Sequence, residues 1–110
     1  DDSGITLASI LKSSNKTWVY YSGWKRRRIN VNFELSIGLC EMKGEGMSLQ
    51  RAFEGPLLGQ DKDHPFLVAG PFVMHDEGKF KMWYCNGTEW RICETGPEPL
   101  YRIHYAESEN

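Results

Sequence analysis

Residues 78–91 read GKFKMWYCNGTEWR, and residues 15–28 read NKTWVYYSGWKRRR. Each stretch passes from a polar turn into an aromatic-rich apolar run and then to a tryptophan. Aligned at an offset of 63, Ile10 falls on Val73 and Tyr21 on Tyr84, and at an offset of 66 Ile37 falls on Ile103. "TLASIL" then lies on "AGPFVM", "VYYSG" on "MWYCN" and "IGLCE" on "IHYAE". The chain therefore states one supersecondary unit twice, as repetitive architectures do.

The runs read as strands. They are short and rich in Val, Ile, Tyr, Trp and Phe, and "ELSIGLCEM" and "RIHYAES" alternate in the two-residue period of a pleated strand. "HDEGK" at 75–79 puts Gly78 where a hairpin turn takes a positive φ, and "SSNK" at 13–16 plays the same part in the first unit. The five prolines and eleven glycines interrupt every window long enough for a helix. The expected strands are 5–11, 17–23, 34–42 and 47–53, then 67–75, 79–85 and 101–108. The fold class is all-β: two β-propeller-like four-stranded meander units, the second incomplete, in a single domain, with unit 1 about 1–58 and unit 2 about 59–110.

Composition narrows the function classes. A chain of 110 residues is one domain's length and buries roughly 60–70% of its unfolded surface if it closes on itself. The formal net charge of −2 speaks against a nucleic-acid partner. No apolar run reaches the ~20 residues of a membrane helix, and no signal-peptide pattern is visible, so a membrane association is not expected. Cys40, Cys85 and Cys93 are odd in number and lack C-x-x-C spacing. They read as buried thiols in a reducing, cytoplasmic setting rather than as a disulfide framework or a zinc site. No cofactor and no metal site is expected, and the two N-x-T sequons read as chance.

The ordered set "YYSGW…FELSIGLCE", "GPLL", "AGPFVM…GKFKMWYCNGTEW" and "EPLYRIHYAESEN" resembles the five-bladed β-propeller glycosidase clan of glycoside hydrolase families 32, 43 and 68. It is most similar to the glycosidase-like proteins of bacterial surface-polysaccharide gene clusters. The resemblance implies a ring of five blades, of which this chain supplies about two, and a carbohydrate ligand. It also implies catalytic carboxylates on the inner strand of a blade, as a pair about 5–5.5 Å apart for retention or about 6.5–9.5 Å for inversion. The family's acid Glu stands two residues before the inner-strand Pro, and its stabilising Asp immediately before. Around Pro71 those positions hold Ala69 and Gly70, and in unit 1 they hold Thr6 and Leu7. Catalysis by this chain alone is thus left open as an enzyme assignment, while a non-catalytic, sugar-binding role is retained.

Candidate carbohydrate-binding residues follow from side-chain chemistry. Trp24 and Trp90 follow matching strands and are read as loop residues whose rings could stack on sugar faces or pack between blades. "DKDH", Asp61 to His64, before the second inner strand, can bond a sugar hydroxyl or a cation, with Asp63 and His64 as the sugar-binding candidates, or simply form a polar loop punctuated by Pro65. Arg102 and His104 share a face of an alternating strand, read as solvated. "KRRR" at 25–28 could grip an acidic sugar, and Asp1 and Asp2 precede the first inner strand. The competing readings are a stand-alone assembly protein and a glycoside hydrolase active only as an assembly or as part of a longer chain. Both faces of the strands carry apolar residues (Val19 and Tyr21 against Trp18 and Tyr20), so a homo-oligomer is expected, a symmetric dimer by default.

Overall fold

The computed structural model describes residues 3–26, 33–45 and 48–109. Seven strands follow in chain order: β1 (Ile5–Ser13), β2 (Lys16–Arg26), β3 (Phe33–Lys43), β4 (Ser48–Arg51), β5 (Leu67–Asp76), β6 (Lys79–Cys93) and β7 (Gly96–Ser108). They form two antiparallel sheets with simple up-and-down order, β1-β2-β3-β4 and β5-β6-β7. No helix occurs among the described residues. The fold class is all-β, with one complete four-stranded meander and a three-stranded second one.

The repeat extends to hydrogen-bond register. Val19 pairs with Cys40 and Tyr21 with Gly38 in the first sheet; at the same two offsets Met82 pairs with Ala106 and Tyr84 with His104 in the second. The first hairpin turns on Ser14 and Asn15 and the second on Glu77 and Gly78, all four at positive φ. Positive φ at both central residues is what matches a two-residue turn to the right-handed twist of its strands. The ion pair Lys16–Glu41 recurs as Lys79–Glu107. Both first strands also bulge at the matching place, between Leu7 and Ser9 and between Ala69 and Phe72. At the second bulge Gly70 takes φ 59°, a left-handed value that costs glycine little because it has no Cβ.

The sheets stack face to face, with β5 lying across β1, β2 and β3 of the first sheet. Ile37, with no exposed surface, packs on Val68 and Tyr84, and Leu58, Met82 and Ala106 complete this cluster. Complete burial of a side chain such as Ile37 or Val68 is worth ~1.5–3 kcal/mol. The Gly70 amide donates to the Ser22 hydroxyl across the stack at 2.9 Å. After β4 the chain returns along the edge of β3, where the Ile37 amide donates to the Leu58 carbonyl at 2.8 Å. That return directs residues 59–66 to the start of β5.

Two expectations need correction. β6 and β7 continue as one long hairpin through the pairs Trp90↔Pro99 and Cys93↔Gly96, beyond the expected strand ends. Trp90 and Trp24 are accordingly strand residues, not loop residues. Pro97 and Pro99 fit because β7 is an edge strand and both occupy one parity, so neither nitrogen is required by the ladder. Asp1, Asp2, Arg27, Arg28, Gly46, Met47 and Asn110 lie outside the described residues.

Candidate functional site

The beginnings of β1, β3 and β5 lie at one end of the stack, opposite the hairpins at 14–15 and 77–78. Trp24, Asp63, His64, Trp90 and Arg102 all fall at this end. Two clusters are built there.

The first is polar. The Asp61 carboxylate accepts the backbone amides of Asp63 and His64, each at 2.8 Å, and faces His64 Nδ1 at 2.9 Å. His64 Nε2 lies 2.8 Å from the Tyr84 hydroxyl. With Nδ1–H donating to the carboxylate, Nε2 accepts a hydrogen bond from the Tyr84 hydroxyl, which gives a carboxylate–imidazole–phenol chain from the loop into the sheet. Desolvation alone would raise the Asp61 carboxyl. The two backbone amides and the His64 ring outweigh it and hold the group below its ordinary range. Burial, and then the negative charge of Asp61, push the Tyr84 hydroxyl up.

His104 stands beside this chain, its ring 5.8 Å from Tyr84 and 6.2 Å from His64. Its Nε2 is 3.5 Å from Asn86 Nδ2. Asn86 is 3% exposed, and its Oδ1 has no hydrogen-bond partner among the described residues. His104 is thus half-buried against the stack rather than solvated. Arg102, opposite Asn86 in register, is exposed.

The second cluster is aromatic. Phe33 lies 5.0 Å from Trp24 in a tilted pair and 5.0 Å from Trp90 edge to face. These geometries suit the ring quadrupoles. Trp24 Nε1 donates to the Thr6 hydroxyl at 3.0 Å, which anchors the indole to β1. The line Trp24–Phe33–Trp90 therefore bridges the first sheet and the long β6–β7 hairpin. Both indoles are half-buried, each keeping part of its surface in solvent.

Of the expected residues, His64 is joined to Tyr84, and Trp24 to Trp90 through Phe33. Asp63 contacts Lys62 Nζ at 2.8 Å on the exposed loop. Of the basic run, Lys25 pairs with Glu34 at 3.9 Å. Asp61 belongs to the "DKDH" candidate, whereas Tyr84 and Phe33 are not site candidates from sequence. The Tyr21–Tyr84 match was a signal for Tyr84, whereas Phe33 carried none.

Chemically, the polar cluster orients a ring and locks the loop ahead of β5. Tyr84 as a whole is 5% exposed, too enclosed to reach a substrate proton. The two first strands carry one carboxylate, Asp76, at the far end and bonded to Lys81 Nζ at 2.6 Å. They hold no carboxylate pair of the kind glycoside hydrolysis uses. Among the described residues no group of three metal-ligating side chains converges, and no helix is long and apolar enough to cross a membrane.

Two curated proteins of Mycobacterium tuberculosis, the uncharacterized proteins MT1551 and Rv1502 from different strains, are each 30% identical to this chain over 108 residues. The match takes in 98% of this chain but 35% of each relative. The chain thus spans about a third of the length of the curated relatives it matches. No family model matches the chain, and no solved structure matches it.

Proposed function

We propose that this chain is a blade pair of a glycosidase-like β-propeller, and that it binds carbohydrate without itself catalysing hydrolysis. The observation that carries the reading is the line Trp24–Phe33–Trp90 set at the same end as Asp63, His64 and Arg102. Flat apolar rings beside hydroxyl-bonding polar groups are what a sugar presents chemistry for: stacking on its C–H face and hydrogen bonds to its rim. The repeated meander, with matching bulges and registers, supports the propeller assignment. A relative about three times the length of the chain accords with further blades of the same kind. The two units, about 1–58 and 59–110, act as one cytoplasmic body in this reading. Ala69, Gly70, Thr6 and Leu7 on the bulged first strands supply no acid, so any catalytic pair belongs to other blades.

A glycan array probed with the chain and with Trp90→Ala tests this. Binding to a defined glycan class is expected, weakened roughly two- to tenfold in the variant, as ~0.5–1.5 kcal/mol of aromatic contact implies. Absence of binding to every glycan by the wild-type chain would refute it. A second reading, an assembly module without a sugar ligand, is favoured by the exposed aromatic face of the second sheet.

A further inference from the structure

We infer that the cleft between the two sheets is a binding site for a small, uncharged aromatic molecule. The cleft lies toward the hairpin end, away from Trp24 and Trp90, so its occupant is independent of the carbohydrate reading.

The cleft encloses about 420 Å³, within the roughly 300–1,000 Å³ of small-molecule sites. One wall is Trp18, Tyr20 and Leu39 of the first sheet, and the facing wall is Val73, Phe80 and Met82 of the second. The return segment after β4 makes a third side with Phe53, Leu57 and Leu58. All three sides are built by described residues of one chain. Val73 and Tyr20 are 5% and 6% exposed and form the floor, whereas Phe53 and Leu57 are 54% and 39% exposed and form the mouth. Large apolar side chains held open to solvent at the mouth of a cavity mark it for an apolar occupant.

The lining also selects against charge. Glu107 is the charged residue among the described lining, and it is already bonded by Lys79 Nζ at 3.0 Å and by the Tyr105 hydroxyl at 2.8 Å. An ion entering the cleft would give up its hydration to apolar walls without gaining a countercharge. Trp18, Tyr20, Phe53 and Phe80 are aromatic, and a flat ring meets such side chains in favourable offset and edge geometries. Met82 adds an adaptable thioether that suits a ring edge.

A polypeptide segment suits the cleft less well. Both walls are sheet faces, into which side chains project while amides and carbonyls lie in the sheet planes. The wall backbones are paired strand to strand, as in Tyr20↔Leu39 and Val73↔Met82. On the third side the Leu57 and Leu58 amides both donate to the Ile37 carbonyl. A strand or loop entering the cleft would bury its own amides without partners. A hydrocarbon ring system has none to satisfy. The return from β4 is the part of the repeat unit that lies between sheets, and here residues 52–58 already take that place.

The test uses N-phenyl-1-naphthylamine, an uncharged aromatic fluorophore, titrated into the protein as its gene encodes it. Binding is read by fluorescence and by the tryptophan indole N–H signals. The expected result is saturable one-to-one binding that moves the Trp18 signal and leaves Trp24, Trp83 and Trp90 in place. Leu57→Asp sets a carboxylate at the apolar mouth and should weaken binding about tenfold or more. Phe53→Asp serves as the second variant if Leu57→Asp melts below wild type. Ile103→Lys, on the outer face of the second sheet, should leave binding unchanged. Absence of saturable binding overturns the inference, as it would if further chain or a second copy filled the cleft. Self-association that Leu57→Asp abolishes, with no dye bound, identifies the second copy. Binding that Ile103→Lys removes, or that moves Trp83 in place of Trp18, puts the dye on the outer face and overturns the inference too. So does binding that both mouth variants leave intact.

Discussion

Substituting Gly38 by alanine probes side-chain packing within the first sheet. Gly38 pairs with Tyr21, and the Tyr21 ring lies across it so closely that a Cβ would overlap Cζ, Oη and Cε1. The ring cannot swing aside freely, because Tyr21 is 7% exposed and packs with Val19 and Cys40. Overpacking of this kind costs ~1–3 kcal/mol. With a urea slope of ~1–3 kcal/mol per molar, Gly38→Ala should lower the denaturation midpoint by about 1 M. Tyr21→Leu removes the atoms that collide, so the cost of Gly38→Ala should fall by ~1 kcal/mol or more in that background. A midpoint unchanged in Gly38→Ala, or strict additivity in the double variant, would refute the reasoning. The equivalent position of unit 2 carries His104, tolerated because the Tyr84 hydroxyl is engaged by His64 instead.

Further outcomes follow from named contacts. Glu41 (bonded by Lys43), Asp76 (bonded by Lys81), Glu107 (bonded by Tyr105 and Lys79) and Asp61 all have carboxyls held below their ordinary range. Folded values below the unfolded ones give stability that is complete above the unfolded carboxyl range of about 4 and is lost as pH falls through the folded values. Thermal melts should therefore weaken progressively below about pH 4; melts that hold or rise there would contradict these bonds. Ser22→Ala removes the acceptor of the Gly70 amide and should cost ~0.5–1.5 kcal/mol by urea denaturation, with no loss if the inter-sheet bond is absent. Cys40 is buried and its thiol is pushed up by burial, so a disulfide reagent should modify Cys85 and Cys93 well before Cys40. Fast uniform labelling of all three in the native state would oppose that packing.

The strands were legible where local chemistry and repeat agreed. Leu35, Ile37 and Leu39 alternate, and Asn15 and Gly78 sit where turns need them, so both meanders could be drawn from sequence. The long β6–β7 hairpin could not. "GTEWRICETGPEP" contains Gly87, Gly96, Pro97 and Pro99, all breakers by local rules, and only an edge position excuses the prolines. The site was legible in part for the same reason. His64 and the two tryptophans stand out by type, but their partners come from pairing distant segments: Tyr84 lies 20 residues from His64, and Phe33 meets Trp90 across the sheets. Contacts of that range depend on the stack, which no local pattern encodes.

The most direct test of the carbohydrate reading is an NMR titration of the indole N–H signals with the glycan that binds best on the array. The chain has four tryptophans. Trp24 and Trp90 share the aromatic line, while Trp18 lines the inter-sheet cleft at the hairpin end and Trp83 lies on the outer face beside Phe72 and Tyr105. The account predicts saturable shifts of the Trp24 and Trp90 signals with the other two unmoved; shifts confined to Trp18 or Trp83, or none at all, would contradict it.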